Sequence, residues 1–103
     1  MDEVLRVFTV DSRLVVFIFP HISSVFLPSA AEFDALIDIV RRRGSWLLCD
    51  EMYRGLEHVP ADRLPSAADR YERAIVLSGL SKTYGLPGLR TGWLIVHDPT
   101  TRA

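Results

Sequence analysis

Apolar residues along the chain fall into short dense runs separated by one helical stripe. RLVVFIF at residues 13–19 is β-branched and aromatic without alternation, the pattern of a strand covered on both faces. Pro20 and Pro28 bracket the loop that follows. From Ser29 the period changes. Ser29 and Glu32 have capping-box spacing, in which the serine oxygen accepts from the Glu32 N–H and the Glu32 carboxylate reaches back. Phe33, Leu36, Ile37 and Val40 then recur at i, i+3, i+4 and i+7, one apolar stripe of a helix. Arg41, Arg42 and Arg43 sit in its last turn, where cations complement the helix dipole, and Gly44 can take the left-handed position that ends it. WLLC at residues 46–49 is a second buried strand, closed by Asp50. Strand, helix and strand of this length predict a right-handed βαβ crossover.

Weaker patterns flank this unit. Val4, Leu5, Val7 and Phe8 predict a short helix before the first strand. Residues 65–73 predict another short helix, 74–77 a third strand, 78–90 a loop punctuated by Gly and Pro, and 92–96 a fourth strand. Trp46, Leu86, Leu89 and Trp93 are expected in the core. The class is α/β, a mainly parallel sheet with flanking helices. Such sheets bind ligands beyond the carboxyl ends of their strands, where Asp50 and residues 78–82 fall.

Composition narrows the partners. With 103 residues there is room for a single domain. A formal charge of -1, from 12 basic and 13 acidic residues, argues against a nucleic-acid partner. No apolar run approaches the roughly 20 residues needed to span a bilayer, and no basic stretch opens a signal peptide, so no membrane association is expected. The single cysteine, Cys49, has no internal disulfide partner and suits a reducing cytoplasm. The chain contains no Asn or Gln, so chemistry that needs a side-chain amide has no donor here. Lys82 is the sole lysine.

Several catalytic motifs fail on their own spacing. A phosphate loop ending at Lys82-Thr83 would need glycine where Ser81 and Val76 stand. GxSxG centred on Ser81 would need glycine at Thr83, and SxxK would need serine at Gly79. His21, His58 and His97 are too far apart in sequence for a local zinc signature and have no cysteine pair beside them.

A different constellation survives. Asp50 ends one strand, Tyr53 and Arg54 follow it, Lys82 follows the next strand, and Arg90 lies eight residues beyond Lys82. Fully extended, eight residues span about 26 Å. Gly85, Pro87 and Gly88 supply turns that can fold the segment back, so that both cations face one small ligand. One carboxylate and two cations at one crevice suit a molecule with a cationic ring nitrogen, a carbonyl and a phosphate.

DEMYR at 50–54 followed by SGLSKTYGLPGLRTGW at 78–93 closely resembles the class I/II aminotransferases, which are fold-type I pyridoxal-phosphate enzymes. The resemblance runs from about Leu14 to the end and covers the cofactor half of that family's large domain. It implies pyridoxal 5'-phosphate as cofactor, with an amino acid and a 2-oxo acid as substrates and a homodimer as the full-length enzyme. Residue by residue, it implies that Lys82 forms the Schiff base with the cofactor aldehyde and moves the substrate proton. The lysine must then be neutral, a state favoured by desolvation and by the Arg90 charge. Asp50 is implied to pair with the ring nitrogen and keep it protonated, Tyr53 to donate to the ring oxygen, and Arg90 to hold the phosphate through its planar fork. Ser78 and Ser81 are implied as further phosphate contacts.

The chain also departs from the family pattern. Gly79 stands where a serine is usual, three residues before the lysine. Ile22 stands where an asparagine usually meets the ring oxygen, and an alkyl side chain cannot donate. The N-terminal part of the large domain and the C-terminal small domain do not fit in 103 residues, so residues 1–103 are expected to form a single partial large domain. The alternative is a truncated, non-catalytic α/β remnant that keeps the motif as a binding module.

Overall fold

The computed structural model describes residues 11–21 and 26–97, and its order of elements follows the hydrophobic pattern closely. Strand β1 spans Leu14–Ile18, helix α1 Ala30–Arg43, β2 Trp46–Asp50, β3 Ala74–Gly79 and β4 Gly92–Val96. The four strands form one sheet in the order β1-β2-β3-β4. β1 and β2 are parallel, with Ile18 opposite Asp50, and β2 and β3 are parallel, with Asp50 opposite Leu77. β4 returns antiparallel to β3, pairing Ser78 with Trp93 and Gly79 with Gly92. The sheet is mainly parallel, and the chemistry-bearing ends of β2 and β3 lie side by side.

Local signals place α1. The Ser29 hydroxyl accepts from the Glu32 N–H at 3.2 Å and the Glu32 carboxylate accepts from the Ser29 N–H at 2.8 Å, closing both halves of the capping box. Gly44 ends the helix in the left-handed conformation at φ 66°, donating to the carbonyls of Arg41 and Val40. Removing the cap with Ser29→Ala is expected to cost about 1 kcal/mol. A urea midpoint lowered at constant slope would report it, and an unmoved midpoint would mean that the cap contributes nothing.

Among the described residues, the core lies on one side of the sheet. Phe33, Ile37 and Val40 of α1 pack on Leu47, Cys49, Ala74 and Val76, joined by Leu64, Ala67, Ala68 and Tyr71. Tyr71 is buried with its hydroxyl donating to the Ser45 carbonyl at 2.6 Å. The helix expected over residues 65–73 shrinks to a single 3-10 turn, Ala67–Asp69. The buried Glu51 carboxylate accepts from the Ala67 N–H at 2.8 Å and from the Ser66 hydroxyl at 3.1 Å, so the turn is pinned at its start. Tyr71 then leaves it to enter the core.

Two expectations are corrected here. β1 is not covered on both faces: Val15 and Phe17 pack toward the core, whereas Leu14, Val16 and Ile18 are exposed. Leu86, Leu89 and Trp93 are exposed rather than core, and Trp46 is half-buried. The physical reason is shared. One helix can cover one face of a sheet, and apolar composition states a need for cover without supplying it. The helix expected at Val4, Leu5, Val7 and Phe8, and the position of Ile22, lie outside the described residues. No helix among the described residues is long and apolar enough to cross a membrane.

Candidate active site

Two loops, one after β2 and one after β3, build the site. At the end of β2 the Asp50 carboxylate turns back to accept from the Met52 N–H at 3.0 Å, starting a tight turn. The Arg54 N–H donates to the Glu51 carbonyl at 2.9 Å and the Leu56 N–H to the Tyr53 carbonyl at 3.1 Å, so Tyr53 sits at the middle of the turn. Gly55 completes it at φ 96°, a region that favours glycine. The Glu57 carboxylate accepts from the Gly55 N–H and from Arg63 at 3.2 Å. Burial alone would raise the Glu57 pKa, but the N–H donors and Arg63 outweigh it and hold the group below its usual value. The turn is fixed from both sides.

The loop after β3 is longer and folds back as its glycines and proline predict. The Leu80 N–H donates to the Thr91 carbonyl at 3.1 Å, and the Leu86 N–H donates to the Leu80 carbonyl at 2.9 Å. Gly85 takes φ 63°, Pro87 opens the 3-10 turn Pro87–Leu89, and Arg90 is left-handed at φ 50°. Leu80 is thereby bridged to Thr91. Arg90 lies one residue from that bridge in sequence and Lys82 two. The eight-residue separation is closed by main-chain geometry.

Lys82 and Tyr53 meet across the two loops, with the lysine Nζ 5.9 Å from the centroid of the tyrosine ring. Asp50 and Ser78 stand at adjacent carboxyl ends, since Asp50 is opposite Leu77. Asp50, Tyr53, Ser78 and Ser81 are half-buried. Lys82 and Arg90 are exposed, so the desolvation expected at Lys82 is not supplied by the described residues. Among those residues Arg90 makes no ion pair, and no hydrogen bond joins its side chain to Asp50 or Lys82.

Gly79 has a packing reason. A Cβ there would lie 3.0 Å from the Thr91 carbonyl oxygen and 3.2 Å from both Gly92 Cα and Met52 Cε. A serine at this position would need its neighbours on β4 and Met52 to give by a few tenths of an ångström.

Two contributors were not visible in the sequence: Glu51 and Thr83. Glu51 is buried and anchors residues 66 and 67. Thr83 donates its hydroxyl toward the carbonyls of Met52 at 3.2 Å and Arg54 at 2.5 Å, bonds that span about thirty residues and leave no local signature.

The sequence matches the family model for aminotransferase class I and II over residues 8–103. The chain belongs to the class I and II aminotransferase family. Among curated relatives, it is 36% identical over 98 residues to capreomycidine synthase of Streptomyces vinaceus, covering 93% of this chain and 24% of that protein. It is 32% identical over 98 residues to the arginine–pyruvate transaminase AruH of Pseudomonas aeruginosa, covering 91% of this chain and 24% of the transaminase. The aminotransferase fold is shared with a PLP-dependent aminotransferase from Streptococcus suis, at a TM-score of 0.85 and 24% identity, covering 98% of this chain and 26% of that one. The chain spans about a quarter of the length of the curated relatives it matches. Membership of the family implies pyridoxal phosphate as cofactor.

Proposed function

We propose that this chain is the cofactor-binding part of the large domain of a pyridoxal-phosphate-dependent aminotransferase, which moves an amino group between an amino acid and a 2-oxo acid. The observation that carries the reading is the juxtaposition of the sole lysine with Tyr53, at the sheet end where Asp50 stands. The donor set fits the cofactor. Asp50 uses one carboxylate oxygen on Met52, and the other accepts no hydrogen bond among the described residues. Arg90 has an unpaired guanidinium there.

In this reading Lys82 holds the cofactor aldehyde through Nζ and, as a free amine, moves the proton at the substrate Cα. Asp50 holds a protonated ring nitrogen, Tyr53 donates to the ring oxygen, and Arg90 binds the phosphate with hydroxyls of Ser78 and Ser81 beside it. The cofactor, when bound, supplies the electron sink that lets the Cα–H bond ionise. The reading extends to a homodimeric full-length enzyme in the cytoplasm. Cys49 is buried, and burial with the Glu51 and Asp50 charges pushes its thiol up to about 12, which keeps it unreactive.

The test uses the full chain, pyridoxal phosphate and borohydride, followed by peptide mapping. Label is expected at Lys82, beyond any on the N-terminal amine. Label on Met1 alone would remove the cofactor role and favour the non-catalytic remnant.

A further inference from the structure

We infer that Thr83 is a positioning residue that sets Lys82 against Tyr53 by clipping the loop after β3 onto the turn after β2. The inference rests on the cofactor reading above for its purpose, and on geometry for its substance. The Thr83 hydroxyl lies 2.5 Å from the Arg54 carbonyl and 3.2 Å from the Met52 carbonyl, the residues on either side of Tyr53. Those two carbonyls flank the ring that Lys82 faces, and Thr83 is the residue next to Lys82. One side chain thus ties the lysine's neighbour to both of the tyrosine's neighbours.

The methyl group of Thr83 faces Gly55. A Cβ added at Gly55 would lie 2.9 Å from Thr83 Cγ2, so the turn has room for the threonine only because residue 55 lacks a side chain. Gly55 also sits at φ 96°, so two separate requirements select glycine at that position. The turn is shaped to receive Thr83. Asp50 and Glu57 hold the turn itself through the Met52 and Gly55 N–H groups, which makes it a fixed seat for the clip. Without the hydroxyl, the loop after β3 would keep its own Leu80–Thr91 bridge but lose its tie to the Tyr53 turn.

The test compares T83V, which keeps the shape and loses the hydroxyl, with T83A and with T83S, which keeps the hydroxyl. Pyridoxal phosphate is supplied at limiting concentration, trapped with borohydride, and the label at Lys82 is divided by that on the N-terminal amine of the same molecules. T83V and T83A are expected to lower this ratio about tenfold, the upper scale of a lost half-buried hydrogen bond, and T83S to keep the wild-type ratio. In the absence of cofactor, trinitrobenzenesulfonate labelling supplies a second readout. The ratio of Lys82 to N-terminal labelling should shift in T83V toward that of the urea-unfolded chain and stay native in T83S. An unchanged ratio in folded T83V would overturn the inference, as would an equal loss in T83S. Failure of both T83V and T83A to fold would assign Thr83 to the fold instead and overturn it too. Absence of pyridoxal label at Lys82 in the wild type would defeat the cofactor reading alone, because the cofactor-free ratio still decides the clip.

Discussion

Asp50→Ala is expected to weaken pyridoxal phosphate binding about ten- to hundredfold, while Cys49→Ala, one residue earlier, leaves it unchanged. A hydrogen bond between a carboxylate and a protonated ring nitrogen is worth about 1.5–3 kcal/mol, which is that range in affinity. The two residues occupy opposite faces of β2. Cys49 is 1% exposed among the core residues, whereas Asp50 is half-buried at the carboxyl end. Cys49→Ala removes one buried heavy atom and should cost about 1 kcal/mol of stability instead. Because Asp50 also accepts from the Met52 N–H, alanine disturbs the turn as well as the charge. Asp50→Asn separates the two effects, since an amide oxygen still accepts from Met52 but carries no charge. Nearly the full loss is expected in the asparagine variant. Titration of cofactor against each variant, corrected for folded fraction, decides it. Equal affinities for the Asp50 and Cys49 variants would contradict the ring-nitrogen role.

The parts of this fold that could be read in advance are the ones governed by near neighbours. Helix α1 was legible because its capping box, apolar stripe, terminal arginines and Gly44 all act within a few residues of one another. The return of the loop after β3 was legible because Gly85 and Pro87 favour those turns wherever they occur. The exposure of Leu86, Leu89 and Trp93 was not, since hydrophobicity records what a residue prefers and not whether another element is there to cover it. The same limit hid Thr83. Its partners are 31 and 29 residues away, and a threonine after a lysine carries no sign of the carbonyls it will meet. Gly55 was the available clue: a glycine directly after DEMYR marks a place where backbone or side chain comes close. The Lys82 and Asp50 assignments came from a resemblance between motifs, and the structure adds the physical means by which two distant segments share one corner of the sheet.

The two faces of the sheet should respond oppositely to substitution. Phe33→Ala is expected to cost about 3–5 kcal/mol, because it opens a cavity at a site that is 1% exposed and central to the only buried cluster among the described residues. Against the roughly 5–15 kcal/mol typical of a folded domain, that leaves the chain close to unfolding at room temperature. Val16→Lys on the other face should change stability by no more than about 0.5 kcal/mol, because Val16 is 54% exposed and has little burial to lose. Its effect should appear in association. Leu14, Val16 and Ile18 present an apolar row on an edge strand, and Leu94 at 60% exposure extends the same face across β4. Such patches recruit dye or other copies of the chain, and a lysine on an edge strand opposes both. Anilinonaphthalene sulfonate fluorescence and sedimentation velocity should therefore both fall in Val16→Lys, and fall further with Leu94→Lys added. Dye binding that persists in the double variant would place the sticky surface elsewhere. A Phe33→Ala protein with an undiminished urea midpoint would mean that α1 is not what holds the sheet together. The contrast between the two variants isolates the cause, since both positions are apolar and only one is covered.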